Sequence, residues 1–141
     1  MRKIIPIVVL FMFTSVLFGV AEAGQGGITT VNLRACIDVN GDNACLFSDT
    51  VLDGVTVCFR PVRGNEQCGQ TEDGEWWFDS LPPGTYWART EGKAGYQFIG
   101  ANCTTYPNIP YSLCQVSGSK VRVVIPKNLN AVNVNFLFIP E

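Results

Sequence analysis

The stretch that decides the fold runs from Glu72 to Tyr86 and reads Glu-Asp-Gly-Glu-Trp-Trp-Phe-Asp-Ser-Leu-Pro-Pro-Gly-Thr-Tyr. Asp73-Gly74 is a dipeptide that readily supplies the positive φ angles of a two-residue hairpin turn. Aromatic residues at alternate positions follow it, and Pro82-Pro83-Gly84 then forms a second turn. The order of strand, tight turn, strand, turn and strand predicts β-structure.

Similar short segments of alternating apolar and polar residues recur along the chain, separated by turn residues at intervals of roughly eight to twelve. In 28–37, Leu33, Ala35 and Ile37 fall on one face, while Arg34 and Cys36 fall on the other. The seven predicted strands are 28–37, 55–60, 68–71, a segment with Trp76 and Phe78 facing inward, a segment around Tyr86 and Ala88, 121–125 and 132–138. No segment has a helical period, so we predict an all-β sandwich.

Residues 95–119 are the exception to this alternation. Tyrosines and prolines lie there among turn residues, with Cys103 and Cys114 on either side of the middle. A loop of this length inside a compact domain is either functional or cross-linked. We therefore expect a long loop that a disulfide holds in place.

Residues 1–23 are predicted to form a signal peptide. Arg2 and Lys3 precede an apolar segment over 4–20, and Ala21-Glu22-Ala23 has the small-x-small form of a cleavage site. An uncleaved membrane anchor is the alternative, because the apolar segment is nearly long enough to span a bilayer. No stop-transfer charge cluster follows, so we expect cleavage, a single domain over 24–141 and no stable membrane insertion.

The charge balance and the absence of histidine limit the possible functions. Residues 24–141 contain 8 basic and 11 acidic residues, a balance that argues against binding to nucleic acid. A chain without histidine lacks the Ser-His-Asp and Cys-His catalytic systems. Paired carboxylates could still hydrolyse a glycoside. The acidic residues cluster in turns, however, where Asp is common because its side chain hydrogen-bonds to the turn backbone. We therefore expect that the chain is not an enzyme.

Six cysteines in an exported chain predict disulfides. Fifteen pairings are possible, and the spacing favours the three pairs of neighbours: Cys36 with Cys45, Cys58 with Cys68, and Cys103 with Cys114. Zinc is the alternative. It is disfavoured because the chain has neither a Cys-x-x-Cys pair nor a histidine.

Residues 38–49, which we call the acidic loop, follow the spacing of a calcium-binding loop. Counting Asp38 as position 1, the ligand positions 1, 3, 5, 7 and 12 fall on Asp38, Asn40, Asp42, the Ala44 carbonyl and Asp49. Position 6 is Asn43, which is able to adopt the left-handed conformation usual for glycine there. Leu46 at position 9 removes one oxygen ligand, and Asp49 replaces the usual bidentate Glu. The alternative is an Asx-rich turn without an ion; we expect calcium.

A carbohydrate-binding surface is one hypothesis for the three tryptophans, because flat aromatic rings stack on sugars. These residues are Trp76, Trp77 and Trp87. Trp76 is predicted to face the core. Trp77 and Trp87 fall on the outward face of adjacent predicted strands, where a cross-strand aromatic pair would stabilise the sheet. They could equally mark a contact surface for a glycan or a protein, because contiguous exposed aromatics are unusual in monomers.

The order of these segments resembles the B-type repeat domain of the serine-aspartate-repeat surface adhesins, which is related to the collagen-adhesin B-type modules. The matching segments are the Asp-x-Asn-x-Asp run from Asp38, Gly54 to Val57, Thr71 to Phe78, Leu81 to Tyr86, Gly95-Tyr96 and Val132 to Phe136. The resemblance implies a Greek-key, antiparallel, prealbumin/transthyretin-like sandwich at the bacterial surface, held rigid by calcium and used as a stalk or spacer.

Three departures from the family pattern stand out. The chain has one copy and no Leu-Pro-x-Thr-Gly sorting signal. The first predicted strand contains Arg34 and no lysine, so we expect no Lys–Asn isopeptide bond. The six cysteines indicate that disulfides supply stiffness that other bonds supply elsewhere in the family.

Together these features predict a secreted or cell-surface structural or interaction module whose partner is an unknown extracellular protein or glycan. One alternative is a carbohydrate- or protein-binding adhesin head, with Trp77 and Trp87 or the 95–118 loop as its contact surface. Another is a subunit of an extracellular fibre that pairs with its neighbour by strand addition.

Overall fold

The computed structural model describes residues 28–45 and 49–141. The predicted signal peptide lies outside the described residues. Every regular element in the described part is a β-strand. The ten strands are β1 (Thr29–Ile37), β2 (Thr50–Val51), β3 (Thr56–Pro61), β4 (Gln67–Gln70), β5 (Glu75–Leu81), β6 (Gly84–Gly92), β7 (Tyr96–Tyr106), β8 (Cys114–Ser117), β9 (Lys120–Ile125) and β10 (Ala131–Pro140).

The strands form two sheets of five. In the first sheet the order is β2-β1-β10-β7, and β5 also pairs with β1; in the second it is β4-β3-β6-β9-β8. All pairs are antiparallel except β1 and β10, which run parallel from Thr30↔Ala131 to Ile37↔Phe138. The predicted all-β sandwich is confirmed, but the prediction of seven antiparallel strands is wrong.

The core lies between the inner faces of the two sheets. Apart from β7, each long strand contributes every second side chain, as the alternation predicts. The fully buried residues include Leu33 of β1, Val57 of β3, Val123 of β9 and Phe136 of β10. Complete burial of a side chain of this kind stabilises the fold by about 1.5–3 kcal/mol. Strand β10 also buries Leu137, on its outer face beside Cys36.

Residues 95–119 contain two strands, β7 and β8, so the prediction of a long loop is wrong. A bulge interrupts the pairing of β7 with β10, and Ile99 is skipped in the register. The inward positions therefore shift from Tyr96 and Phe98 before the bulge to Ala101 and Cys103 after it. This change of phase removes the regular alternation that identifies a strand in a sequence.

The Asp73-Gly74 turn forms as predicted, with φ angles of 54° and 77°. The strands on either side of it nevertheless join different sheets, since β4 pairs with β3 and β5 pairs with β1. Only Glu72 and Glu75 bridge the turn as an isolated pair. The Trp76 side chain reaches from the first sheet to Gly69 of the second, where an added Cβ would lie 2.5 Å from its ring.

Three disulfides join the pairs that the spacing favours. Cys36–Cys45 links the end of β1 to the acidic loop. A second bridge joins Cys58 and Cys68, which are directly opposed on β3 and β4. Cys103–Cys114 connects β7 of the first sheet to β8 of the second. The last bridge therefore ties the two layers together at one side of the sandwich.

Candidate functional site

The acidic loop brings three of its carboxylates together. Strand β1 ends directly before Asp38, and Asp49 precedes β2. One carboxylate oxygen from each of Asp38, Asp42 and Asp49 lies within 4.8 Å of the others. Asp38 and Asp49 are 6% and 7% exposed, whereas Asp42 is exposed. Three anionic groups this close repel one another, and a bound cation would relieve that repulsion.

Backbone amides surround the Asp38 carboxylate. Its Oδ1 accepts hydrogen bonds from the N–H groups of Gly41 at 3.0 Å and Asp42 at 3.2 Å. Its Oδ2 accepts one from the Asn43 N–H at 3.0 Å. The chain can curl round in this way because Gly41 and Asn43 have φ angles of 74° and 59°. Asn43 thus adopts the left-handed conformation that position 6 requires.

The other predicted ligands take part in local turns. Asn40 Oδ1 accepts the Asp42 N–H at 3.2 Å, and Asp42 Oδ1 accepts the Ala44 N–H at 3.0 Å. These are hydrogen bonds of the Asx-turn type. At the far end, Asp49 Oδ1 accepts the Val39 N–H at 3.2 Å and so holds the two ends of the loop together. Leu46 lies outside the described residues. Calcium at this loop stays a prediction.

Two asparagines missed by sequence reasoning fasten the loop to the first sheet. Asn102 Nδ2 donates to the Asn43 carbonyl at 2.6 Å. Asn135 Nδ2 donates to Asn102 Oδ1 at 2.9 Å, and Asn135 is only 1% exposed. The sequence signals these hydrogen bonds only by the asparagines at two outward-facing positions of β10, Asn133 and Asn135.

Trp77 and Trp87 lie on different sheets, so the prediction of a cross-strand pair is wrong. Trp77 is on β5, is 52% exposed and donates its indole N–H to Glu75 Oε2 at 3.0 Å. Trp87 is on β6, which pairs with β3 and β9 rather than β5. Both side chains face away from the core, and they therefore point to opposite sides of the sandwich.

The surroundings of Trp87 are basic. In the register of the second sheet, Trp87 lies directly between Arg60 of β3 and Arg122 of β9. A depression of about 200 Å³ next to Trp87 is lined by Arg60, Glu66, Arg89 and Lys120, among others. A second, more open depression on its other side includes Arg122.

Arg89 is neutralised by two carboxylates that it contacts directly. Its guanidinium donates two hydrogen bonds of 2.8 Å to Glu66 and one of 3.0 Å to Glu91. The bonds from Arg89 lower the pKa of Glu66 below its usual value. Glu66 and Glu91 are therefore occupied by this arginine.

The fold is similar to that of a pilin and of a bacterial adhesin, whereas no family model and no curated protein matches the sequence. One is the minor pilin GBS52 of Streptococcus agalactiae, at TM-score 0.52 and 16% identity over 83% of this chain. The other is an adhesin of Mobiluncus mulieris with intramolecular disulfide, isopeptide and ester cross-links, at TM-score 0.52 and 15% identity over 81% of this chain. The matches span 46% and 42% of those two chains. At this identity the likeness establishes the fold alone.

Within 28–45 and 49–141, no helix is long and apolar enough to cross a membrane.

Proposed function

We propose that the chain is a secreted or cell-surface structural module of the pilus or adhesin type, without enzymatic activity. The observation that carries this proposal is a two-sheet sandwich with three disulfides whose fold resembles pilin and adhesin domains. Disulfides are typical of exported proteins. The serine-aspartate-repeat B-type architecture is the finer form of this proposal, and its basis is the motif order described above.

Calcium bound in the acidic loop is part of the proposal. The support is the cluster of Asp38, Asp42 and Asp49, with Asn40 and the Ala44 carbonyl as the remaining oxygen donors. Calcium takes six to eight oxygen ligands, so waters would complete the shell. Because the loop is tied to β1 by Cys36–Cys45 and to β7 by the Asn102 side chain, an ion there would stiffen one end of the sandwich.

The test is a thermal melt, with disulfides intact, in chelator and then in millimolar calcium. An ion that binds only the folded state stabilises it by about 2.7 kcal/mol at a hundredfold excess over Kd. Asp38→Asn should abolish this gain while keeping an acceptor for the Gly41 N–H, because the charge is removed and one side-chain oxygen remains. Asp79→Ala is the matched control, because Asp79 is an exposed aspartate outside the loop. It should leave the calcium response unchanged.

Equal melting temperatures with and without calcium would show that the loop is an Asx turn held by Cys36–Cys45. That result would refute the calcium proposal without affecting the proposed surface role. The location has its own test, which is labelling of intact source cells with an antibody against the domain. Labelling that appears only after the cells are lysed would contradict the surface role.

A further inference from the structure

The outer face of the second sheet carries a line of three long side chains across three strands. Arg60, Trp87 and Arg122 are register partners on β3, β6 and β9, and all three face away from the core. Neighbouring strands are about 4.8 Å apart, so the two arginines flank the indole at roughly 10 Å from each other. Lys120 lies one row away, opposite Arg89. We call Arg60, Trp87, Lys120 and Arg122 the basic tryptophan face.

Positive charge is concentrated around this face although the chain as a whole is acidic. Residues 28–141 contain eight arginines and lysines and eleven acidic residues. Five of these eight basic residues lie on or beside the face: Arg60, Arg63, Arg89, Lys120 and Arg122. The acidic residues there are Glu66 and Glu91, and both are bound to Arg89.

The cations next to the indole are available to a ligand. Lys120 and Arg122 are exposed, and within 28–45 and 49–141 their side chains have no hydrogen bond or ion pair. Arg60 donates from one guanidinium nitrogen to the carbonyl groups of Pro61 and Val62, which fixes its position beside Trp87. Arg60 is therefore held in place, whereas Arg122 is free to change its conformation.

We propose that the basic tryptophan face binds an anionic polysaccharide, one whose sugars carry carboxylate or sulfate groups. A guanidinium matches such groups with two parallel hydrogen bonds, and the flat indole offers a surface on which a sugar ring stacks. The alternation of cation, ring and cation along one line suits a linear polymer in which charged groups and sugar rings repeat. This inference goes beyond the structural role proposed above and does not require the calcium loop.

The composition of the face favours a polysaccharide over a second copy of the chain. A stable protein interface has an apolar centre from which charged residues are depleted. Here a single half-buried aromatic ring is surrounded by cations instead. The surface around Trp77 is acidic, because Glu72, Asp73 and Glu75 lie there. It could attract the basic tryptophan face of a second copy, so the experiment has to distinguish polysaccharide binding from self-association.

The experiment measures binding of the disulfide-bonded protein to dextran sulfate and polygalacturonate by calorimetry, with uncharged dextran and polyglutamate as comparisons. We expect binding to both anionic polysaccharides, no binding to dextran, and weaker binding as salt rises because charge contacts are screened. Polyglutamate has the charge without the sugar ring and should bind more weakly. All titrations are run in calcium and in chelator, so that failure of the calcium proposal does not affect the result.

Matched variants separate this face from general charge effects. Trp87→Ala should weaken binding to dextran sulfate roughly tenfold or more, as expected for a central aromatic anchor. Arg122→Gln should weaken it several-fold, and since Arg122 is exposed this variant does not disturb the fold. The controls are Trp77→Ala, which removes the exposed tryptophan of the other sheet, and Lys127→Gln, which removes an exposed charge that lines neither depression. Neither should change the affinity.

Three results would overturn the proposal. The first is no binding to either anionic polysaccharide at low salt. The second is binding that Trp87→Ala and Arg122→Gln leave unchanged, or that polyglutamate matches in affinity. The third is concentration-dependent self-association in sedimentation, lost in Trp87→Ala, without polysaccharide binding. That result would make the face an interface between copies.

Discussion

Replacing Thr71 with valine tests how the connection from β2 to β3 is held against the core. Thr71 is 2% exposed, and its hydroxyl donates to the Leu52 carbonyl at 2.7 Å. The same oxygen accepts the Val55 N–H at 3.1 Å. Valine has nearly the same shape as threonine but no hydroxyl, so Thr71→Val leaves one buried carbonyl and one buried N–H without partners.

Each of these two groups costs about 1–3 kcal/mol, so we expect a total loss of about 2–6 kcal/mol. Two hydrogen bonds between main-chain atoms hold the segment in place, Thr71 N–H to Val55 at 3.0 Å and Gly54 N–H to Thr71 at 2.9 Å, so the unpaired groups have little freedom to reach water. A loss of 3 kcal/mol would lower Tm by roughly 10 °C in a domain of this size. Urea denaturation and a thermal melt, both with disulfides intact, measure the effect.

Two substitutions serve as controls for Thr71→Val. Thr71→Ser keeps the hydroxyl and should lose only the smaller contribution of one methyl group, about 1 kcal/mol. Thr104→Val removes an exposed hydroxyl that accepts a hydrogen bond from Asn133 and should have little effect. The reasoning is refuted if Thr71→Val is within about 0.5 kcal/mol of the unchanged protein. It is equally refuted if serine destabilises as much as valine.

Three further predictions concern packing, pH and cross-linking. Gly69→Ala should destabilise the fold by about 1–3 kcal/mol, because the new Cβ would lie 2.5 Å from the Trp76 ring; an unchanged urea midpoint would contradict this contact. Burial raises the pKa of Tyr86 in the folded state. The contribution of Tyr86 to the free energy of unfolding is therefore complete below the unfolded pKa of about 10 and falls as the pH rises above that value. Tyr86→Phe should remove this part of the loss of stability at alkaline pH, as measured by urea denaturation. An identical pH profile in the variant would exclude ionisation of Tyr86 as a cause of that loss. Non-reducing peptide mapping should recover the Cys103–Cys114 bridge, and its removal by a double serine substitution should cost about 2–3 kcal/mol in a melt; free thiols at these two positions in protein purified without reductant would contradict it.

Strands whose inward residues stay in one phase could be predicted from the sequence. β1, β9 and β10 each place large apolar residues at alternate positions, and these residues are buried. β7 could not be found in this way because the bulge at Ile99 shifts the phase halfway along the strand. Periodicity also carries no information about direction, so the parallel pairing of β1 with β10 was not predictable.

The sequence likewise predicts contacts only where they are local. The clustering of Asp38 with Asp42 follows from spacing within one loop. The turn at Asp73-Gly74 follows from local φ preferences, but the departure of β5 to the first sheet depends on partners far along the chain. The line across Arg60, Trp87 and Arg122 requires the register of three strands, which no short motif encodes.

The parallel pairing of β1 with β10 has a consequence for how the domain carries tension. A pull on the residues before β1 and those after β10 acts along both strands in opposite directions, so it slides one strand past the other. The ladder of aligned residues from Thr30↔Ala131 to Ile37↔Phe138 must then yield together, whereas strands peeled from one end lose their bonds one at a time. A domain loaded in this shearing direction resists a far greater force before it extends. The Cys103–Cys114 bridge would then keep the segment between these two cysteines from lengthening even after the ladder has failed.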